Sequence, residues 1–275
     1  MTQATHHALT LGHYLRCFNG IMRREALRFV HQRERFLSAL VRPIVWLAVF
    51  AAGFRSVLGV AIIEPYQTYI TYEVYILPGL LAMIQLFNGM QSSLSMVYDR
   101  EMGSMRTLLI SPLPRWFLLV CKLMAGTLVS VVQVYAFLLI AWLWGIKIPP
   151  IGLITLLPAL LLSGMMLGAF GMFLSSAIRQ LEGFAGVMNF VIFPMFFASS
   201  ALYPLWKIEE SSQWLPYVCN SNPFTYAVEM LRFSLYGQID PLSAILVAGF
   251  LFVFLSLALY GYDPARGFLA RKTGL

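Results

Sequence analysis

Charge is what this sequence has least of. Only 11% of its 275 residues are Asp, Glu, Lys or Arg, against 59% hydrophobic residues, where a water-soluble domain carries about 25% charged residues. Such a chain cannot cover a water-facing surface, which excludes a soluble globular protein and leaves a polytopic membrane protein. Cysteine is scarce as well: Cys17, Cys121 and Cys219 are far apart and form no C-x-x-C pair, so neither a disulfide framework nor a zinc site is indicated. The four histidines, His6, His7, His13 and His31, all lie near the N-terminus, outside the apolar runs, and read as solvated or interfacial. The sequence has no G-x-x-x-x-G-K-S/T phosphate loop, no G-x-S-x-G and no paired Asp or Glu within its apolar runs. These gaps exclude ATP hydrolysis by a phosphate loop, a membrane hydrolase or protease, and the acidic relay of a proton-coupled transporter. Residues 1–36 hold no continuous apolar stretch ahead of a small-residue cleavage site, so no secretory signal is read there.

What is present is a succession of apolar runs, at about 37–58, 75–96, 116–144, 151–177, 184–202 and 242–262, each near or above the roughly 20 residues that cross a bilayer. The net charge of +7 sits in the loops and flanks. The N-terminal arginines, Arg100, Arg106, Arg115, Lys122, Arg179 and the tail with Arg266, Arg271 and Lys272 fall on one side. Lys147, Lys207 and Arg232 fall on the other, with Arg55 near its edge. The positive-inside rule makes both termini cytoplasmic. The expected fold class is therefore an all-α polytopic membrane protein with six transmembrane helices. Residues 1–36 form a cytoplasmic or interfacial amphipathic helix and residues 37–275 the transmembrane domain. In the first of these, Leu15, Phe18, Ile21, Met22, Leu27 and Phe29 alternate with Arg16, Arg23, Arg24, Arg28, Arg33 and Arg35. That pattern suits a helix lying among anionic headgroups or a cytosolic helix packed on another element.

Two polar segments interrupt the runs. Residues 97–115, VYDREMGSMRTLLISPLPR, carry a short helical pattern that Ser111-Pro112-Leu113-Pro114 ends, because proline has no N–H and restricts the residue before it. This is either an ordinary cytoplasmic loop or a helix that docks a soluble partner. Residues 203–240 are too long for a turn and read as two short amphipathic helices split by Asn220-Ser221-Asn222-Pro223. They either re-enter the bilayer from outside, where protein or water must satisfy the broken backbone, or lie as an interfacial flap. Within the spans, Gln85, Asn88 and Ser92 share one helical face, and so do Asn189, Phe193, Phe196, Phe197 and Ser200. Either face suits a path for an amphiphilic substrate or hydrogen bonding between helices. Gly164-x-x-x-Gly168, followed by Gly171, allows close helix approach.

The D-R-E-M-G start at Asp99, the R-T-L-L of Arg106 to Leu109, the Ser-Pro after it and the N-P-F-T-Y of Asn222 to Tyr226 resemble the ABC-2 type exporter permeases, membrane subunits of ATP-binding-cassette transporters. That resemblance implies a type V exporter-like fold with a cytoplasmic coupling helix between spans two and three and re-entrant helices between spans five and six. It assigns ATPase coupling to Asp99, Arg100, Glu101, Gly103, Arg106, Thr107 and Leu108 and an outer gate to Asn222, Pro223, Phe224 and Glu229, while the polar and aromatic helix faces themselves offer Gln85, Asn88, Ser92, Asn189, Phe193 and Phe197 as a substrate path. It further implies a homodimer in a bacterial inner membrane, two copies of a separate ABC ATPase that hold ATP and Mg²⁺, no cofactor on this chain, and export of a drug-like, lipid-like or glycolipid cargo. The alternative is a non-transporting membrane anchor for a soluble complex; a membrane-embedded enzyme is a more distant reading.

Overall fold

Helices account for all the regular structure in the described residues of the computed structural model, which are 11–31, 33–54, 65–66, 70–101, 113–178, 180–206 and 214–262; of residues 33–38, 51–52, 54 and 99–101 it describes the backbone alone. In chain order they are α1 (Leu11–His31), α2 (Arg33–Phe54), α3 (Tyr72–Glu101), α4 (Arg115–Leu143), α5 (Pro150–Ala177), α6 (Leu181–Phe197), α7 (Leu215–Ser221), α8 (Pro223–Leu235) and α9 (Pro241–Gly261). Four are long and apolar enough to cross a membrane: α3 over Tyr72–Tyr98, α4, α5 and α9. The runs expected as spans one and five correspond to shorter apolar stretches, Ala39–Phe50 within α2 and Leu181–Phe197. The outward faces are apolar too. Leu139, Trp142 and Leu143 on α4, Ile151 and Ile154 on α5, and Leu242, Ile245, Phe252 and Tyr260 on α9 are all exposed. Only a hydrocarbon solvent makes such surfaces stable, so the chain is a multi-pass membrane protein.

Helix starts follow local chemistry. Proline occupies the first turn of α5, α8 and α9, where its missing N–H would be unpaired anyway. Asp240 caps α9, its carboxylate accepting from the backbone N–H of Leu242 at 3.2 Å and from the hydroxyl of Ser243, the usual use of Asp at this position.

The bundle is built around α3, which packs against α2, α4, α5, α6 and α8. From Tyr75 to Leu86 every one of its residues is buried. α5 is the other hub, between α3 and α9. The two hubs run parallel and approach through glycine: a methyl group at Gly89 would lie 2.9 Å from Gly168 Cα, and one at Gly171 would lie 3.0 Å from the Gly89 carbonyl oxygen. This is the close contact that the Gly164-x-x-x-Gly168 pattern implied, with Gly89 as its partner. Where α5 begins, Gly152 packs so tightly on the last turn of α8 that any side chain would overlap the Leu235 carbonyl. Thr155 Oγ1 donates to the neighbouring Ser234 carbonyl at 2.6 Å.

The structure departs from expectation at several places. Asp99 to Glu101, expected in a separate coupling helix, form the last turn of α3, since no glycine or proline intervenes before Gly103. α6 stops at Phe197 instead of running to residue 202, for a reason found in α8. Arg232, expected as an extracytoplasmic loop charge, lies in the core with 3% exposure.

Candidate functional site

The second polar segment folds as two short helices that meet at Asn222, and the N-P-F-T-Y residues explain how the break is tolerated. Asn222 Oδ1 accepts from the Phe224 backbone N–H at 3.0 Å, which caps α8. Its Nδ2 donates to the carbonyls of Met195 and Ala198, both at 2.7 Å. One side chain thus closes the start of α8 and the open end of α6, which is why α6 terminates there. Pro223 takes the first position of α8. Thr225 Oγ1 donates to the Cys219 carbonyl at 2.7 Å and Tyr226 Oη to the Asn220 carbonyl at 2.6 Å, which satisfies the end of α7. Phe224 is fully buried, its ring 6.2 Å from that of Phe196. Carbonyls left open at helix ends are expensive in an apolar surrounding, and these three side chains take up four of them. Asn222→Ala should therefore lower stability by about 2–4 kcal/mol, the sum of a lost cap and two lost hydrogen bonds, measured as a lower thermal midpoint of the detergent-purified protein.

Beside this joint lies a polar cluster of which only Glu229 was expected as a site residue. Arg232 Nη1 pairs with Glu229 Oε1 at 2.6 Å, and Nη2 donates to the Ser200 carbonyl at 2.8 Å. The guanidinium carbon sits 4.2 Å over the Tyr75 ring, whose hydroxyl donates to that same Ser200 carbonyl at 3.0 Å. Tyr72 Oη donates to the Leu202 carbonyl at 2.8 Å. The start of α3 therefore holds the turn after α6, and the middle of α8 holds both. The signal available in the sequence was the i, i+3 spacing of Glu229 and Arg232 within an otherwise apolar helix.

The residues expected along a substrate path separate into two sets with different neighbours. Gln85 is 1% exposed; its Nε2 donates to the Leu160 carbonyl at 2.7 Å and its Oε1 accepts from Ser163 Oγ at 2.6 Å. Asn88 Nδ2 donates to Gln133 Oε1 on α4. Ser92 lies against Gly126 of α4. These three face α4 and α5 in the seams between helices. The α6 residues turn outward: Asn189, Phe193 and Phe197 are exposed, as is Phe190 between them at 80%. Trp46 of α2 stands edge-on to Phe196 and Phe197 at 6.0 and 5.8 Å, so α2 and α6 together present an aromatic wall.

Of the coupling residues, Asp99, Arg100 and Glu101 occupy the final turn of α3. Gly103, Arg106, Thr107 and Leu108 lie outside the described residues. Near that end of the bundle α1 packs on the start of α4, with Tyr14 edge-on to Phe117 at 4.9 Å. α1 exposes Arg16, Arg23 and Arg24 together with Leu11, Leu15, Leu27 and Val30. No group of three or more His, Cys, Asp or Glu able to hold a metal occurs among the described residues.

Comparison with known proteins accords with these motifs. The sequence profile described as ABC-2 type transporter matches residues 16–236. The chain is 28% identical over 211 residues to "Putative transport permease ycf38" of Cyanophora paradoxa, covering 74% of this chain and 70% of that protein. The protein of the same name from Pyropia yezoensis is 24% identical over 244 residues, covering 87% and 79%. "Probable multidrug ABC transporter permease YbhR" of Escherichia coli is 29% identical over 170 residues, 61% of this chain and 45% of that protein.

Proposed function

The chain belongs to the ABC-2 type transporter family, and on that premise we propose that it is the permease subunit of an ATP-driven exporter. The observation that carries the reading is the joint at Asn222: the family's N-P-x-T-Y residues are all engaged in holding two short helices against the end of α6. A broken helix pair at one end of a membrane bundle is a part that can move without unfolding, because its open backbone groups are already satisfied. It serves as the outer gate, with Asn222, Pro223, Phe224 and Glu229 as its working residues.

ATP is bound and hydrolysed with Mg²⁺ by a separate ATPase, two copies of which dock at the cytoplasmic end of α3 and the segment after it. Asp99, Arg100, Glu101, Gly103, Arg106, Thr107 and Leu108 receive the push. α3 transmits it, being packed against five other helices and tied to the Ser200 turn at its far end. The cargo is amphiphilic, lipid-like, glycolipid or drug-like, and it passes along the aromatic wall of α2 and α6, where Asn189, Phe193 and Phe197 are exposed. In this reading Gln85, Asn88 and Ser92 keep the helices of the path in register. A second copy of the chain faces that wall and completes the path, in a bacterial inner membrane with both termini cytoplasmic.

The test is transport itself. The chain is co-expressed with an ABC ATPase encoded beside it, and fluorescent phospholipid or hydrophobic-dye probes are added to the outside of inside-out vesicles. ATP-dependent accumulation that disappears without the permease is the expected result. ATPase recruitment without movement of any probe would instead favour a membrane anchor.

A further inference from the structure

Three polar atoms in the core beside the Asn222 joint make no hydrogen bond among the described residues: Tyr66 Oη, Ser200 Oγ and Arg232 Nε. Their side chains are all but inaccessible, with Tyr66 at 4%, Ser200 at 1% and Arg232 at 3% exposure. They also belong to one neighbourhood. The Ser200 carbonyl accepts from Arg232, the Arg232 guanidinium covers the Tyr75 ring, and one turn further along, at the end of α8, Tyr236 meets Tyr66. Tyr236 stands edge-on to Tyr66 with ring centroids 4.9 Å apart.

A buried polar atom left without a partner costs about 1–3 kcal/mol, and native folds keep few of them. Three together call for a shared partner. Burial pushes the Tyr66 phenol well above its ordinary range, so it keeps its proton and offers one donor and acceptor capacity. Ser200 Oγ offers the same, and Arg232 Nε offers a donor only. Charge narrows the choice further. Arg232 is already neutralised by Glu229 at 2.6 Å, so no net positive charge remains to hold an anion, and a cation would face the guanidinium. A small neutral molecule that both accepts and donates is what fits, and water is the one that needs least room. We propose that a water molecule is bound in the core among Tyr66, Ser200 and Arg232, linking the segment before α3, the turn after α6 and α8.

The sign of one substitution tests this. If water bridges the three groups, Tyr66→Phe removes a hydrogen-bond partner and lowers the thermal midpoint of the detergent-purified chain by about 2 °C or more. If the hydroxyl is alone, its removal leaves the midpoint unchanged or raises it, and the proposal fails. Ser200→Ala completes a double-mutant cycle: a shared water makes the second substitution cost clearly less after the first, whereas fully additive effects would overturn the bridge. Should either variant not fold, electron cryomicroscopy of the unaltered chain in lipid nanodiscs decides. A discrete peak within hydrogen-bonding distance of all three atoms supports the site, and a map that resolves other buried waters but shows none here refutes it.

Discussion

Arg232→Ala should destabilise the protein by about 3–5 kcal/mol, the penalty of removing one partner from a buried ion pair. The substitution leaves Glu229, 22% exposed at its side chain, without its counter-charge in a largely apolar surrounding. It also takes one of two donors from the Ser200 carbonyl and the cation from the Tyr75 face. Since Arg232 ties α8 to the turn after α6 and to α3, loss of the outer helix pair should precede loss of the bundle. The check is the thermal midpoint and the elution profile of the purified variant, with protease cleavage within residues 203–240 as the local readout. Arg232→Met combined with Glu229→Gln should recover a large part of the loss, because removing both charges avoids the unpaired one. A near-native midpoint for Arg232→Ala alone would show that the cluster is not a structural tie.

Gly89→Leu should be as damaging, for steric reasons. A single methyl at this position already lies 2.9 Å from Gly168 Cα and 3.1 Å from the Leu167 carbonyl oxygen, and both are backbone atoms that cannot rotate away. The two hub helices must separate. That separation strains the bonds from Gln85 to Leu160 and Ser163 in the same seam. Overpacking of a core costs about 1–3 kcal/mol, occasionally more; the added loss of interhelical hydrogen bonds, each about 0.6 kcal/mol in membranes, places this variant at the upper end. Low yield of monodisperse protein and a midpoint depressed at least as far as that of Asn222→Ala are expected. Gly20→Leu is the control, since nothing lies within 4 Å of a methyl there, and, with glycine unfavourable inside a helix, it should leave the midpoint unchanged or slightly raised.

The long helices were legible in the sequence because twenty-odd apolar residues in a row admit few other structures. α4, α5 and α9 begin and end within a residue of the apolar runs that announced them. The paired short helices split at Asn222 were legible too, because Asn-Pro marks a helix start. What composition could not reveal is which polar side chains reach across to other elements. Asn222 ends α6 from 24 residues away through Ala198, a long-range bond that no local pattern encodes, so the end of α6 was read five residues too late. Arg232 read as a solvent-facing charge because its partners, Ser200 and Tyr75, come from other parts of the chain. Gln85 and Asn88 share a helical face in any reading. Only the fold shows that Gln85 reaches α5 and Asn88 reaches α4.

The most direct measurement is ATP turnover by the permease co-purified with its ABC ATPase, compared with the same preparation carrying Glu101→Arg. Glu101 closes α3, and its reversal should leave insertion and thermal midpoint intact. A stable complex whose turnover is stimulated by amphiphilic probes, and whose stimulation falls at least tenfold in Glu101→Arg, is the expected result. Equal stimulation in both preparations, or a well-folded permease that retains no ATPase, would contradict a transporter driven through the end of α3.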